Sequence, residues 1–193
     1  MRFFAAAALL FSLTAHADPK AEVFAAWDAM IKAKSYRAAM EISTGGQTYQ
    51  QNLDIIIPDH FRMSGGPAGD TIVTPAGAWM KPPGGQWTAA PDSMRAMTKQ
   101  FMGDDFIAQA KAGVTKVEAK GEQDLGGVAT KVYEVHQTMK VMGVESSSVT
   151  DLYVAVDSGR PVRQVIKATA MGQTSTTTQD ITYVPDLKIE APM

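Results

Sequence analysis

The residue types that carry most protein chemistry are sparse in this chain. It has no cysteine, which removes a thiol nucleophile, a thiolate metal ligand and a lipid-modified N-terminal cysteine. Of its three histidines, His16 lies in an apolar leader, leaving His60 and His136. His60 follows Pro58-Asp59, and a histidine beside an aspartate invites a hydrolytic triad. The rest of such a site is missing: no serine sits in a G-x-S-x-G turn, and the two histidines have no metal-ligand spacing. Ser64-Gly65-Gly66 and Gly84-Gly85 do not continue into the Gly-Lys-Ser/Thr of a phosphate loop. Asp104-Asp105 reads as the acidic cap of a helix segment rather than an acid–base pair. Both histidines read as strand residues, no metal or cofactor is expected, and the chain is read as something other than an enzyme. A hydrolase with a site near His60 is the remote alternative.

Binding chemistry is better represented. Pro58 to Trp87 holds two of the three tryptophans and the densest glycine and proline punctuation in the chain. Phe61, Trp79, Met80 and Trp87 are the candidate walls of an apolar pocket. Arg62 lies between Phe61 and Met63 and needs either water or an anionic partner. It is therefore either a surface residue of an alternating strand or the polar anchor of that pocket, its planar fork suited to a carboxylate or phosphate. Ser93 to Lys111 is the candidate lid, with Met94, Met97, Phe101, Met102 and Phe106 as its apolar contacts. Twelve methionines are many for 193 residues. This soft, unbranched side chain fills cores, and it also suits surfaces that accept varied apolar partners.

These residues follow an export leader. Arg2 precedes an apolar run from Phe3 to Ala15, and Ala15-His16-Ala17 is a small-x-small cleavage signature before the polar Asp18-Pro19-Lys20. Residues 1–17 therefore read as a signal peptide removed after Ala17, too short to remain as a membrane span. Residues 18–193 read as a single domain, long enough to bury a core without disulfides. A formal charge of -2 and the lack of a basic patch argue against nucleic acid. No later run of about 18 apolar residues points to a membrane span. The leader and the cysteine-free composition suit a periplasm.

The elements that position the candidate residues follow from periodicity. Ala21 to Lys34 has Val23, Phe24, Trp27, Met30 and Ile31 on one face of a helix. From Tyr36 the period becomes two, with Ala38, Met40 and Ile42 on one side. Thr44-Gly45-Gly46-Gln47 turns into a return strand, Thr48 to Ile57, which Pro58 ends because it has no amide proton to donate. Short strands are expected at His60–Ser64, Asp70–Thr74 and around Trp79. Ser93 to Lys111 reads as two helix segments broken at Gly103-Asp104 and stopped at Gly113. Strands follow at Val114–Gly121, Ala129–Val141, Ser146–Val156, Pro161–Met171 and Gln173–Tyr183, with Leu187 to Glu190 closing the chain. Thr174 to Thr178 reads as a solvated strand or the exposed face of one. The fold class is α+β: one large antiparallel sheet, strongly curved by strand twist, with helices on its concave side.

Several of these segments, taken in order, resemble the LolA-like superfamily of outer-membrane lipoprotein carriers. They are the N-terminal helix after an export signal, Tyr36-Arg37 and the first hairpin, Pro58-Asp59-His60-Phe61-Arg62-Met63, Trp79-Met80-Lys81 and Trp87. Later come Leu125-Gly126-Gly127-Val128 with Val132-Tyr133-Glu134, and Gly159-Arg160-Pro161-Val162-Arg163. The resemblance covers nearly all of residues 18–193. It implies an unclosed half β-barrel of about eleven strands, helices plugging its mouth and an apolar cavity between. It further implies a soluble, monomeric periplasmic carrier that binds the acyl chains of lipids or lipoproteins and shuttles them towards the outer membrane. Release and acceptor proteins at the inner or outer membrane would be its partners. By position, Pro58–Met63 corresponds to the strand entering the barrel and Ser93–Lys111 to the lid. The absence of cysteine separates this chain from lipid-anchored members. The alternative within the same resemblance is a lipid- or lipoprotein-sensing module that binds a partner protein.

Overall fold

The computed structural model describes residues 18–102, 104–141 and 144–192; residues 1–17, read above as the export signal, and Gly103, read as the helix break, lie outside them. Helix α1 spans Pro19–Lys32. It begins two residues before the position predicted from periodicity because Asp18 caps it, its carboxylate accepting from the Lys20 amide at 3.0 Å, and Pro19 suits the first turn. It ends before Lys34, whose positive φ of 65° turns the chain into the sheet.

Six strands follow: β1 (Ser35–Thr44), β2 (Gln47–Ile56), β3 (His60–Gly65), β4 (Asp70–Thr74), β5 (Gly77–Lys81) and the two-residue β6 (Thr88–Ala89). Helices α2 (Asp92–Met102) and α3 (Asp104–Ala112) come next. Five further strands complete the sheet: β7 (Val114–Leu125), β8 (Val128–Val141), β9 (Val144–Ala155), β10 (Pro161–Ala170) and β11 (Gln173–Tyr183). The hairpin of β1 and β2, its turn and the end of β2 before Pro58 fall where the alternation put them. Strand β7 runs past the predicted Gly121 to Leu125, its register shifting at Ala119/Gly121. Leu187 to Glu190 forms no strand, although Ile189 is buried.

All strands form one antiparallel sheet in the order β6-β5-β4-β3-β2-β1-β11-β10-β9-β8-β7. The first six strands step outward from β1 to one edge, and the last five step inward from the other edge to β11. The two runs meet where β1 pairs with β11, Ala38 opposite Ile181. Edges β6 and β7 do not pair, so the sheet is unclosed. The run Thr174 to Thr178 lies in this interior seam. Ser175 to Thr178 are half-buried between β1 and β10, which corrects the first alternative, a solvated strand; Thr176 and Thr178 lie on the outer face opposite Ser43 and Glu41, in line with the second. β-branched threonine suits such a two-sided position without adding much apolar surface.

The connection between the runs dictates the curvature. Helices α2 and α3 carry the chain from β6 at one edge to β7 at the other. Laid flat, ten strand spacings would hold those edges about 48 Å apart. Helices of 11 and 9 residues placed end to end reach about 30 Å, and the four other residues between β6 and β7 can add at most about 14 Å. The sheet must bend towards the helices for α2 to pack on β4 and β5 while α3 packs on β8.

α1 closes one half of the bent face. Val23 and Ala26 are buried against Val114, Tyr133, Val135, Leu152 and Val154, with Phe24, Trp27 and Val117 around them. Polar ties fix its rotation. Glu22 accepts from the Tyr133 hydroxyl and from Lys131 Nζ at 3.0 Å, Lys20 Nζ donates to the Val114 carbonyl at 3.2 Å, and Asp28 pairs with Lys111 of α3 at 2.5 Å. Gly113 ends α3 as predicted; a Cβ there would overlap the Thr138 carbonyl oxygen, so only glycine lets the helix end approach β8. Leu152 is 1 % exposed at the centre of this cluster. Leu152→Ala is expected to cost about 2–5 kcal/mol of unfolding free energy in a denaturant titration. A loss well below 1 kcal/mol would mean that the cluster is not the core.

Candidate ligand-binding face

Strand residues alternate between faces, and directly paired residues share one. The register therefore sorts every side chain. The face that receives α1 holds Leu152, Tyr133 and Val135; Leu152 pairs with Gln164, Gln164 with Gln179, Gln179 with Met40 and Met40 with Gln51. Continuing outward, two rows lie on the same face. One runs Met80, Thr71, Met63, Leu53, Ala38, Ile181; the other runs Ala78, Val73, Phe61, Ile55, Tyr36, Tyr183. Met63, Leu53, Phe61, Ile55, Met40 and Met80 are only half-buried, whereas Ala38 and Ile181 are buried. This is an apolar strip that the sheet alone does not cover.

Charge is segregated by the same alternation. On the helix face, β1 to β6 and β9 to β11 present no charged residue. Their charges lie on the outer face. There Arg37 grips the Asp54 carboxylate at 2.6 and 3.2 Å, and Arg163 Nε meets Asp180 at 2.5 Å. On the same outer side Glu134 takes hydrogen bonds from Lys120 and His136, which hold its carboxyl down at about 2. A shallow depression of about 280 Å³, lined by Glu41, Gln50, Asn52, Thr178 and Asp180 among others, also opens outward and is polar.

The candidate residues divide accordingly. Phe61 and Met80 lie on the helix face. Arg62 and Trp79 do not: Arg62 pairs with Asp54 and Ile72, and Trp79 with Ile72, in outward-facing rows. The expectation of Arg62 as the anchor and Trp79 as a wall of one pocket with Phe61 is corrected by this alternation, since strand neighbours cannot share a face. Arg62 is exposed, and the Trp79 ring lies over Gly77, where a Cβ would meet it at 2.9 Å. Trp87 is half-buried just before β6. Met94, Met97, Phe101 and Met102 fall in α2 and Phe106 in α3. Met94 and Met102 are half-buried, and the side chains of Met97, Phe101 and Phe106 lie outside the described residues. His60 Nδ1 contacts Asp59 at 2.8 Å and His136 Nε2 contacts Glu134 at 2.8 Å; among the described residues neither ring is hydrogen-bonded to a serine or threonine hydroxyl.

Residues that the sequence reading left out of the site complete the strip: Tyr36, Leu53, Ile55, Met63, Ile181 and Tyr183. Tyr36 and Tyr183 are paired across β1 and β11, their rings 6.3 Å apart. Burial pushes the Tyr36 hydroxyl up to about 12 and raises that of Tyr183 further. A raised folded pKa favours the protonated phenol, so this stability is complete below about pH 10 and is lost as pH rises through 10 to 12. Two units correspond to about 2–3 kcal/mol for a buried group. Tyr36→Phe is expected to flatten the alkaline limb of a stability–pH profile. An unchanged limb would contradict burial of this hydroxyl.

No helix among the described residues is long and apolar enough to cross a membrane. No family model matches the chain, and no curated protein matches it. Solved structures do. The crystal structure of the Mycobacterium tuberculosis lipoprotein LppX superposes with a TM-score of 0.63 at 14% identity, covering 90% of this chain and 100% of that one. LprF from Mycobacterium bovis gives 0.56 at 12% identity over 91% and 98%. MucB, solved in complex with MucA(peri), gives 0.50 at 12% identity, over 91% of this chain and 59% of MucB. The unclosed eleven-stranded antiparallel sheet with helices on one face, matched over 90% of this chain by LppX and 91% by LprF, is the fold that this chain shares with them.

Proposed function

We propose that this protein is a soluble periplasmic carrier. After removal of residues 1–17, residues 18–193 would bind the acyl chain of a lipid or lipoprotein against the helix face and shuttle it towards the outer membrane. The observation that carries this reading is the charge segregation. A half-buried strip of Phe61, Ile55, Leu53, Met63, Met40 and Met80 has no charged neighbour on its own face in β1 to β6. Such a surface has little to offer a polar substrate and much to offer a hydrocarbon. About twelve methylenes at ~0.8 kcal/mol each would gain about 10 kcal/mol, comparable to the cost of drawing a tail from a membrane. No bond need be made or broken, which fits the absence of catalytic motifs.

Phe61, Met80, Leu53 and Met63 are the proposed floor. α2, with Met94, Met97, Phe101 and Met102, is the proposed lid together with Phe106 of α3; methionine-rich contacts suit tails of varied length. A second reading, a module that binds a partner protein, has one observation in its favour: MucB, which shares the fold over 59% of its length, was solved with MucA(peri).

Binding of a fluorescent fatty acid tests the carrier reading. Leu53→Asp places a charge on the strip, and Asn52→Asp places one on the adjacent outward position. The first is expected to weaken binding at least about tenfold, because an unpaired carboxylate is costly beside hydrocarbon. The second is expected to change it less than about twofold. Equal effects in two variants with intact far-UV spectra would remove the helix face as the binding surface.

A further inference from the structure

The second apolar row does not end at Tyr183. Strand β10 pairs with β11 with Arg163 opposite Asp180 and Gln164 opposite Gln179. Between Pro161 and Arg163 the register against β9 shifts, so the alternation does not carry on to Arg160, one residue before the strand, and its contacts place it instead. The Arg160 guanidinium carbon stands 5.1 Å from the centroid of the Tyr183 ring, whose residue lies on the helix face opposite Tyr36, and the Tyr183 hydroxyl donates to the Pro161 carbonyl at 2.8 Å. The Arg160 backbone is held as well, its carbonyl accepting from the Ala155 amide at 2.9 Å.

Arg160 differs from the other arginines of the sheet. Arg37 and Arg163 face outward and are occupied by Asp54 and Asp180, and Arg62 faces water. Arg160 is partly buried, and among the described residues no carboxylate lies within ion-pairing distance of it. Lys131, which also faces the helices, is already taken by Glu22. A planar guanidinium stacked on an aromatic ring keeps its hydrogen-bonding edges free for a bidentate oxyanion.

We propose that Arg160, seated on Tyr183 at the end of the row Phe61–Ile55–Tyr36–Tyr183, is the anchor for the anionic head group of an amphiphile whose chain lies along that row. The proposal rests on the carrier reading and narrows it to ligands with a carboxylate or phosphate head. Arg160 takes the place that the sequence reading assigned to Arg62.

Calorimetric titration of the purified, delipidated protein with laurate, dodecyl phosphate, dodecanol and inorganic phosphate tests it. The wild type is expected to bind the two anionic amphiphiles about tenfold more tightly than dodecanol, and inorganic phosphate at the same concentration should displace none of them. Arg160→Ala should bring laurate and dodecyl phosphate down to the level of dodecanol and leave dodecanol unchanged; Arg160→Lys should restore part of the preference. If the alanine variant fails to fold, Arg160→Gln and the wild-type preference carry the same test. Binding of all three amphiphiles without head-group preference overturns the anchor alone. An equal loss for all three in the variant assigns Arg160 to packing and overturns it too. Displacement by inorganic phosphate would make the site a free-oxyanion site. Failure of the wild type to bind any of the three overturns the carrier reading, and the anchor with it.

Discussion

The rest of the structure depends on one constraint of length. A sheet of eleven strands is too wide for α2 and α3 to bridge while flat, yet they join its two edges. Strand twist already favours bending, and the short helical bridge fixes which way the sheet bends. The face towards the helices becomes an interior and the other remains a surface. Antiparallel sheets often have one dry face and one wet face; here the dry face is only partly filled. α1 occupies the half over β7 to β10 with Val23 and Ala26 and leaves β1 to β5 for α2 or for a ligand.

The alternation of side chains turns that geometry into chemistry. Because the period is two, a charged residue at every other position supplies an outer face of paired carboxylates and cations without cost to the interior. Arg37 with Asp54, and Arg163 with Asp180, lie across neighbouring strands on that outer face. The Arg163–Asp180 pair is substantially exposed and contributes little to stability, whereas Asp54 is buried and needs its Arg37 partner; both pairs leave the inner face neutral. One guanidinium, that of Arg160, stands over the Tyr183 ring at the end of the inner row. Hydrocarbon and one oxyanion are the ligand that such a face suits.

Much of this was legible in the sequence, and the misreadings have a common cause. Local signals placed α1, the β1–β2 hairpin, the helices α2 and α3 and the C-terminal meander within a few residues. They rest on period, turn glycines and prolines, which are properties of neighbours. The pairing of β1 with β11 joins residues some 140 positions apart, as Tyr36 with Tyr183 shows, and no local pattern announces it. Without that seam the second row could not be assembled, and Tyr36, Tyr183 and Arg160 stayed apart. The misplacement of Arg62 and Trp79 is different. Phe61 with Arg62 and Trp79 with Met80 are strand neighbours, so their opposite faces were readable from the sequence itself; grouping them by density of unusual residues overrode the alternation. Threonine polarity suggested a solvated strand, whereas β11 pairs with β1 on one side and β10 on the other, again a non-local fact.

The central claim is that the neutral helix face holds a hydrocarbon chain. Native mass spectrometry of the protein purified gently from the cells that express it measures this without a choice of probe. The account predicts reproducible adducts of lipid mass, lost on delipidation and regained on exposure to a lipid extract. A clean mass of the bare chain under the gentlest conditions, unchanged by that exposure, would contradict it.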